Sequence, residues 1–285
     1  MSLRPTFWLP LVAISVTILT VPSAAQAQQE IGAQPAVSRL PTTPGAADPS
    51  AKTDFDISAS AALASDYIYR GYTLSNRQPS VSGDIEATYG YIFADIHPAS
   101  VNIPELSHLE LTSSGGIRPV FGPLTVELGA EYFSYPGSEI YNDYWEFYAA
   151  PSYVVTTKLT LGLNAYYGPD YIGSGAWENY NSATFKYALD SSWSVSGELG
   201  GQSFGTTRPT ADSPAIKLPD YSYWNVGITY TYKSLTADVR YHGDTLSKQS
   251  CFLITGTGSA TIGSTGCGAT IVGTLTWSLP GSDQK

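Results

Sequence analysis

The sequence predicts an all-β fold: a transmembrane antiparallel β-barrel of about 12 strands, with short periplasmic turns and long extracellular loops. Three observations predict it. Segments of about ten residues alternate between apolar and polar side chains, as strands with one lipid-facing side do. The connections between them alternate between short and long. No Asp, Glu, Lys or Arg falls on the apolar parity of any segment, where a charge costs about 2–4 kcal/mol at the bilayer midplane.

The N-terminal residues 1–27 have the pattern of a signal peptide. Arg4 precedes an apolar run over residues 7–21, and Ala25-Gln26-Ala27 is a small-x-small cleavage site. The alternative is a membrane anchor, but the run is shorter than the ~20 residues that a helical span needs. We expect a disordered periplasmic leader over residues 28–55, the barrel over 56–279 and a C-terminal tail over 280–285.

The composition suits a β protein with little water-facing outer surface. Only 13% of residues are charged, against about 25% in soluble domains, and the chain contains 27 Gly and 21 Tyr. No later segment reaches about 18 consecutive apolar residues, so no helical span is expected. The net charge of −10 argues against a nucleic-acid partner, which requires basic patches.

Parity places twelve strands in chain order. In the last of them, Ile271, Leu275 and Trp277 share one face, while hydroxylated residues occupy the other. In the third, the parity turns Tyr91 and Phe93 inward. The predicted strands cover residues 57–69, 81–89, 91–97, 109–117, 124–132, 145–153, 159–166, 177–189, 193–202, 223–231, 235–242 and 270–279.

The predicted connections alternate strictly in length, as in a barrel whose short turns face the periplasm and whose loops face outward. The short ones follow the even strands, at residues 90, 118–123, 154–158, 190–192 and 232–234. The long ones follow the odd strands, at residues 71–80, 98–108, 133–144, 167–176, 203–222 and 243–268. An even strand number leaves both termini on the periplasmic side.

All charged strand residues fall on the inward parity, which makes them candidates for the lumen. Eleven are acidic: Asp66, Asp84, Glu86, Asp95, Glu110, Glu127, Glu131, Glu146, Glu178, Glu198 and Asp238. Three are basic: Arg70, Lys186 and Arg240. Two readings of Asp66 and Arg70 stay open, a buried network that fills the lumen and a selectivity site.

Aromatic residues of the apolar parity fall at strand ends, as expected of two interfacial girdles. The outer-rim set is Tyr67, Tyr69, Tyr132, Trp145, Trp177, Trp224 and Tyr241. The periplasmic-rim set is Tyr89, Tyr153, Tyr187, Trp193, Tyr230 and Trp277.

The segment Ser65-Asp66-Tyr67-Ile68-Tyr69-Arg70-Gly71, followed by a polar stretch ending at Pro79, resembles the TorF family, the Gcw_chp group of Gram-negative outer-membrane proteins named porins by prediction. Residues 132–137, 144–148 and 220–221 resemble further family segments, and the likeness extends over about residues 57–279. The resemblance implies a porin. The chain departs from such barrels at its end, where Leu279 stands in place of the terminal aromatic residue that the assembly machinery reads.

Cys251 and Cys267 are expected to form a disulfide in the last extracellular loop, because the chain is exported and they lie close in sequence. Two free thiols or a partial metal site are the alternatives. The metal alternative is poor, since His242 is the only nearby histidine. We expect no metal and no cofactor.

Catalysis is not expected. Ser107 and His108 are adjacent, so they point to opposite faces, and His97 with Ser100 leads into a predicted loop. At the outer rim Asp143, Asp244 and His242 lie at a similar height, but nothing pairs them specifically.

The expected function is passive diffusion of small hydrophilic solutes or ions through an outer-membrane channel, with a preference for cations because acids dominate the lumen. The alternative is a closed barrel whose loops act as an adhesin or receptor. A loop that folds inward with Arg77 or Arg208 would reverse the local charge. Expected partners are outer-membrane lipids, the barrel-assembly machinery during insertion, and the solutes; the oligomeric state stays open.

Overall fold

The computed structural model describes residues 55–103, 107–138, 142–210, 214–259 and 261–279. They form a closed antiparallel barrel of twelve long strands, in which each strand pairs with its neighbours in chain order and β1 pairs with β12. The strands are β1 Phe55–Ala64, β2 Ser80–Tyr89, β3 Ile92–Ile103, β4 Ser107–Ile117, β5 Leu124–Ser134, β6 Tyr144–Val154, β7 Leu159–Gly168, β8 Glu178–Ala188, β9 Trp193–Phe204, β10 Tyr221–Tyr232, β11 Leu235–Asp244 and β12 Thr270–Leu279.

Among the described residues, helical structure is confined to two connections, the helix α1 at Lys248–Thr255 and a 3-10 turn at Tyr171–Gly173. Within the described ranges no helix is long and apolar enough to cross a membrane. The predicted signal peptide, leader and tail lie outside the described residues, apart from Phe55, which begins β1.

The two ends of the barrel differ. Short connections at 90–91, 118–123, 155–158, 189–192 and 233–234 form what we call the turn end. The opposite end, the loop end, carries the connections 65–79, 135–143, 169–177, 205–220 and 245–269. The predicted long loop at 98–108 is wrong, because β3 continues to Ile103 and β4 begins at Ser107. Pro98 stays in the sheet beside Gly83, where a side chain on Gly83 would meet its ring at 3.6 Å.

The outer face is apolar and the inner face polar, because side chains alternate along each strand. In β12, for example, Ile271, Leu275 and Trp277 are exposed while Val272 and Thr276 are buried. Aromatic residues near the strand ends, such as Trp145 and Tyr153, are exposed as the girdle prediction requires.

The first predicted strand is too long. β1 ends at Ala64, after which residues 65–79 turn away from the sheet into the barrel. Tyr67 and Tyr69, assigned to the outer girdle, are only 1% and 4% exposed. Within this segment, a two-residue turn joins the short strands Ile68–Tyr69 and Tyr72–Thr73. We call residues 65–79 the lumen hairpin.

The hairpin packs against a cluster of buried residues, most of them aromatic, that extends from the loop end to Phe93 near the turn end. Tyr69 makes edge contacts with Tyr72 and Phe133, whose rings lie 5.7 and 5.9 Å from its own. Phe133 stacks on Tyr144 at 4.6 Å. The remaining buried members of the cluster are Phe93, Tyr135, Tyr148, Tyr166, Tyr171, Ala176, Tyr180, Phe204, Leu218, Tyr221, Tyr223 and Ile254. The loop end of the lumen is therefore narrowed by protein.

The last loop also packs inward. A disulfide joins Cys251 in α1 to Cys267, with Cα atoms 5.9 Å apart. Ser247 caps α1, because its hydroxyl accepts from the backbone N–H of Ser250. The backbone N–H of Thr73 donates to the Gly266 carbonyl at 2.8 Å, which ties this loop to the lumen hairpin.

Candidate functional site in the barrel lumen

The tip of the lumen hairpin is a tight turn at Arg70 and Gly71. Both have positive φ, 44° and 103°. Two-residue hairpin turns of this kind favour Asn, Asp or Gly, since other residues pay a steric penalty in the left-handed region. An arginine at this position indicates that its side chain gains contacts that outweigh the backbone cost.

Those contacts lie inside the barrel, where Arg70 is 4% exposed. Its two terminal nitrogens donate to the two oxygens of Glu146, at 2.7 and 2.5 Å, in the bidentate geometry that suits a guanidinium. Nη1 also lies 3.5 Å from Glu178 Oε2. The guanidinium carbon sits 4.7, 4.9 and 4.4 Å from the ring centres of Tyr69, Tyr166 and Tyr180. The cation is thus enclosed by two carboxylates and three aromatic rings.

The base of the hairpin is fixed by Asp66. Its carboxylate accepts hydrogen bonds from Thr73 at 2.5 Å and Ser75 at 2.9 Å, and it forms an ion pair with Arg77 at 3.1 Å. Asp66 was predicted as a strand residue, but it belongs to the inward segment. Arg77 therefore holds the base of the hairpin, and the arginine at its tip is Arg70.

Glycine makes room for the carboxylates around Arg70. A Cβ on Gly168 would lie 2.8 Å from Glu178 Cγ, so Glu178 reaches over β7 only because that position has no side chain. Glu131 and Glu146 are direct partners across β5 and β6. The Gln202 amide donates to Glu178 at 2.7 Å. Two glutamates thus contact the cation, and a third, Glu131, lies beside Glu146.

A second network lies further toward the turn end. Glu198 accepts hydrogen bonds from the hydroxyls of Tyr180 and Tyr223, both at 2.5 Å. Arg240 donates to Asn225 at 2.7 Å and pairs with Asp238 at 3.1 Å. These groups bind one another across β8 to β11, so they line the wall of the lumen.

The turn end holds an arginine that parity could not find, because it lies in a turn. Arg118 forms ion pairs with Glu86 at 2.8 Å and with Glu127 at 2.6 Å. Its guanidinium carbon lies 4.5 Å from the ring centre of Phe93. The connection 118–123 is the longest at the turn end. Its length is the sequence feature that could have drawn attention to Arg118.

Most of the predicted lumen residues are buried. Those under 9% exposed are Asp66, Arg70, Asp84, Glu86, Asp95, Glu110, Glu131, Glu146, Glu178, Lys186 and Glu198. Glu127, Asp238 and Arg240 are half-buried. Glu110 accepts from the hydroxyls of Tyr67 and Tyr135, at 2.8 and 2.9 Å. Arg208, the other candidate for the constriction, pairs with Asp170 on the surface, where its side chain is 67% exposed.

The residues considered for catalysis have other contacts. Ser107 donates to the carbonyls of Leu109 and Pro136. His97 lies 3.8 Å from Asp84, and Asp244 accepts from two backbone N–H groups of the last loop. In the described part of the chain no three His, Cys, Asp or Glu residues are placed to hold a metal ion.

Several buried polar atoms on the inner face have no hydrogen-bond partner among the described residues. They belong to eight inward strand positions: Ser60 Oγ, His97 Nε2, Thr112 Oγ1, Glu131 Oε2, Asn164 Oδ1, Glu178 Oε1, Thr184 Oγ1 and His242 Nδ1. Buried polar groups are almost always paired with protein or with ordered water. These atoms have almost no surface that water can reach, so the inner face is closely packed around them.

A pocket of about 50 Å³ opens at the loop end between the hairpin and α1. Its wall includes Tyr72 and Tyr171, whose hydroxyls lie 3.2 Å apart. Burial raises the pKa of both phenols above the ordinary value, so both are neutral at physiological pH. Volume and lining fit a few waters.

The family comparison matches residues 47–274 to Gcw_chp, described as a bacterial protein of unknown function. The chain belongs to the Gcw_chp family. The match includes the lumen hairpin and eleven complete strands of this Gcw_chp barrel. It supports the Gcw_chp part of the sequence resemblance, whereas the TorF porin label is finer than the family description. No curated protein matches the chain.

Solved structures similar to this Gcw_chp chain are outer-membrane barrels. "KdgM porin in complex with disordered oligogalacturonate" has 10% identity and a TM-score of 0.49, and the alignment covers 79% of this chain and 99% of that one. "Outer-membrane expressed OmpT of Vibrio cholerae" has 10% identity, a TM-score of 0.40 and coverages of 79% and 97%. A Rh. blastica porin mutant has 12% identity, a TM-score of 0.35 and coverages of 70% and 55%.

Proposed function

We propose that this chain is a non-enzymatic outer-membrane channel of the porin type, which passes small hydrophilic solutes or ions and whose lumen is narrowed by the hairpin around Arg70. The observation that carries the proposal is the closed antiparallel barrel, whose strands turn apolar side chains outward and charged side chains inward.

The exposed outer face supports the membrane location. Large apolar side chains such as Leu163, Leu199 and Ile271 are 59, 63 and 69% exposed. A belt of this kind is unfavourable in water and favourable in lipid, and closure of the sheet leaves no unpaired strand edge in the bilayer. The outer membrane is where closed antiparallel barrels of this type reside.

The lumen charges favour cations. Eleven inward acids face three inward bases from the predicted set, and the structure adds the cations Arg77 and Arg118. The acids still outnumber the bases. In a narrow lumen with low-dielectric walls, a charge excess concentrates counter-ions.

Single-channel recording of the refolded full chain in a planar bilayer, across a KCl gradient, tests the proposal. We expect conducting events with a reversal potential of the cation-selective sign. An anion-selective sign would contradict the charge argument, and silence in both the full chain and a hairpin-shortened variant would contradict the channel.

The filled loop end favours one alternative, a closed barrel whose loops form an adhesin or receptor surface. Tyr67, Phe133 and Phe204 are at most 1% exposed and leave little free space there. Silence in the bilayer experiment, for both variants, is the outcome that would favour this alternative.

A further inference from the structure

The place that Arg70 occupies has the features of a binding site for a guanidinium ion. A bidentate carboxylate, a second carboxylate 3.5 Å from Nη1 and three tyrosine rings within 5 Å surround one planar cation. Carboxylate pairs bind a guanidinium through its fork of N–H groups, and aromatic faces attract its charge. Each of these groups contacts the guanidinium of Arg70. All of them belong to the barrel strands except Tyr69, which belongs to the hairpin.

The walls of this site belong to the barrel. Glu146, Tyr166, Glu178 and Tyr180 lie on β6, β7 and β8, three neighbouring strands. Gly168 gives Glu178 its position, and a Cβ on Gly200 would meet the Tyr180 ring at 2.8 Å. The strands thus hold the carboxylates and two of the rings whether or not the hairpin is seated.

Two further observations indicate that the site has capacity for an external ligand. Glu178 is buried beside the bound cation, so the site places a second carboxyl group next to the one that already binds Arg70 in bidentate fashion. Arg70 reaches the site from a turn position with φ 44°, which a non-glycine residue adopts at a cost. The occupant is therefore held under backbone strain, in a site with two carboxyl groups for one cation.

We infer that the lumen contains a guanidinium-binding site whose resident occupant is Arg70, and that solutes bearing a guanidinium group bind there when the arginine leaves. The hairpin then acts as a tethered competitor. This inference rests on the proposed channel for its role in transport, where it names guanidinium-bearing solutes as a favoured class. Its test is a binding measurement in detergent, independent of conductance.

The test removes the Arg70 side chain and adds a small guanidinium compound from solution in its place. Arg70→Gly empties the site and suits the positive φ. We expect methylguanidinium to raise the unfolding temperature of the R70G barrel saturably, with an affinity about tenfold or more above that of methylammonium, which lacks the planar fork. The wild type should show no saturable rise, because Arg70 fills the site. Arg208→Gly is the matched control, since it removes an exposed arginine and should behave as the wild type.

A second variant assigns the effect to the site. Arg70→Gly with Glu146→Gln removes the bidentate acceptor and should abolish the methylguanidinium response. Equal responses to methylguanidinium and methylammonium, a response retained in the double variant, or a saturable response in the wild type would each overturn the inference. If R70G does not refold alone, its refolding yield in methylguanidinium against equimolar KCl is the readout, and an unchanged yield overturns the inference as well.

The outcome is separable from that of the channel proposal. Binding of methylguanidinium to R70G without any conductance would support the guanidinium site and contradict the channel proposal. Conductance without guanidinium binding to R70G would support the channel proposal and contradict the guanidinium site.

Discussion

At the residue scale, the pair of Arg70 and Glu146 has the largest consequence for stability. Both side chains are almost fully buried, at 4% and 0% exposure. Removing one partner of such a pair leaves an uncompensated charge, which costs about 3–5 kcal/mol. We expect Glu146→Gln to lower the thermal unfolding midpoint of the detergent-folded barrel strongly. Asp170→Asn, which breaks the exposed pair with Arg208, should change stability by about 1 kcal/mol or less. Equal effects of the two changes would contradict the buried-pair account.

A second residue-scale prediction concerns the glycine beside Glu178. Gly168→Ala places a Cβ 2.8 Å from Glu178 Cγ and Oε1, so the carboxylate must move away from Arg70. We expect a lower unfolding midpoint than in the wild type, measured by heat-modifiable migration on gels. Gly273→Ala is the control, since a Cβ there meets nothing within 4 Å. A neutral Gly168→Ala would show that Glu178 does not depend on this gap.

Parity predicted which charged residues face inward, because the alternation of a strand fixes the side of each residue. It could not predict their partners. Glu146 meets Arg70 across 76 residues of chain, and this contact arises from the hairpin rather than from strand neighbours. Arg118 was missed because parity assigns no face to a residue in a turn.

At the scale of elements, the covalent link in the last loop is directly testable. Cys251 and Cys267 close a loop with a sequence separation of 16 residues, which in the chain-entropy model restricts the unfolded state by about 3 kcal/mol. We expect no reactive thiol in unreduced, denatured protein and two after reduction. Two reactive thiols before reduction would rule out the bridge.

Two element boundaries differ from the sequence expectation for physical reasons. The alternation continues through Tyr67 and Tyr69, so it cannot show that the chain leaves the sheet after Ala64. These tyrosines are satisfied by buried partners instead of lipid, as in the hydrogen bond from Tyr67 to Glu110. Pro98 predicted a loop, but the strand continues through it where the pairing of β2 with β3 is interrupted, between the pairs Ser82–Ala99 and Ile85–Ile96.

At the scale of the whole molecule, the sequence predicted the closed barrel because loop length, parity and charge all indicated the same architecture. It could not predict the filling of the loop end. Whether residues 65–79 extend into solvent or fold into the lumen depends on contacts with β4, β6, β7 and β8, which are distant in sequence. The state of the lumen is therefore a property of tertiary packing.

The central claim is that the lumen hairpin sets the constriction of the proposed channel. Ala64 and Ser80 are paired across β1 and β2, so a two-residue Asn-Gly turn can replace residues 65–79 without altering the barrel register. Residues 208–215 provide a control, because the described positions of this stretch, 208–210 and 214–215, are exposed and lie beyond the bridge of Thr206 with Lys217. The first variant loses the lumen hairpin and the control loses part of a loop, while both keep all twelve strands.

The most direct measurement is the single-channel conductance of the hairpin-replaced barrel relative to the wild type and the 208–215 control. We predict a several-fold larger conductance and a stronger cation preference when the hairpin is absent, since Glu146 and Glu178 then face the lumen without Arg70. The control should conduct as the wild type does. A hairpin-replaced barrel that folds but has unchanged conductance, or none, would contradict the claim.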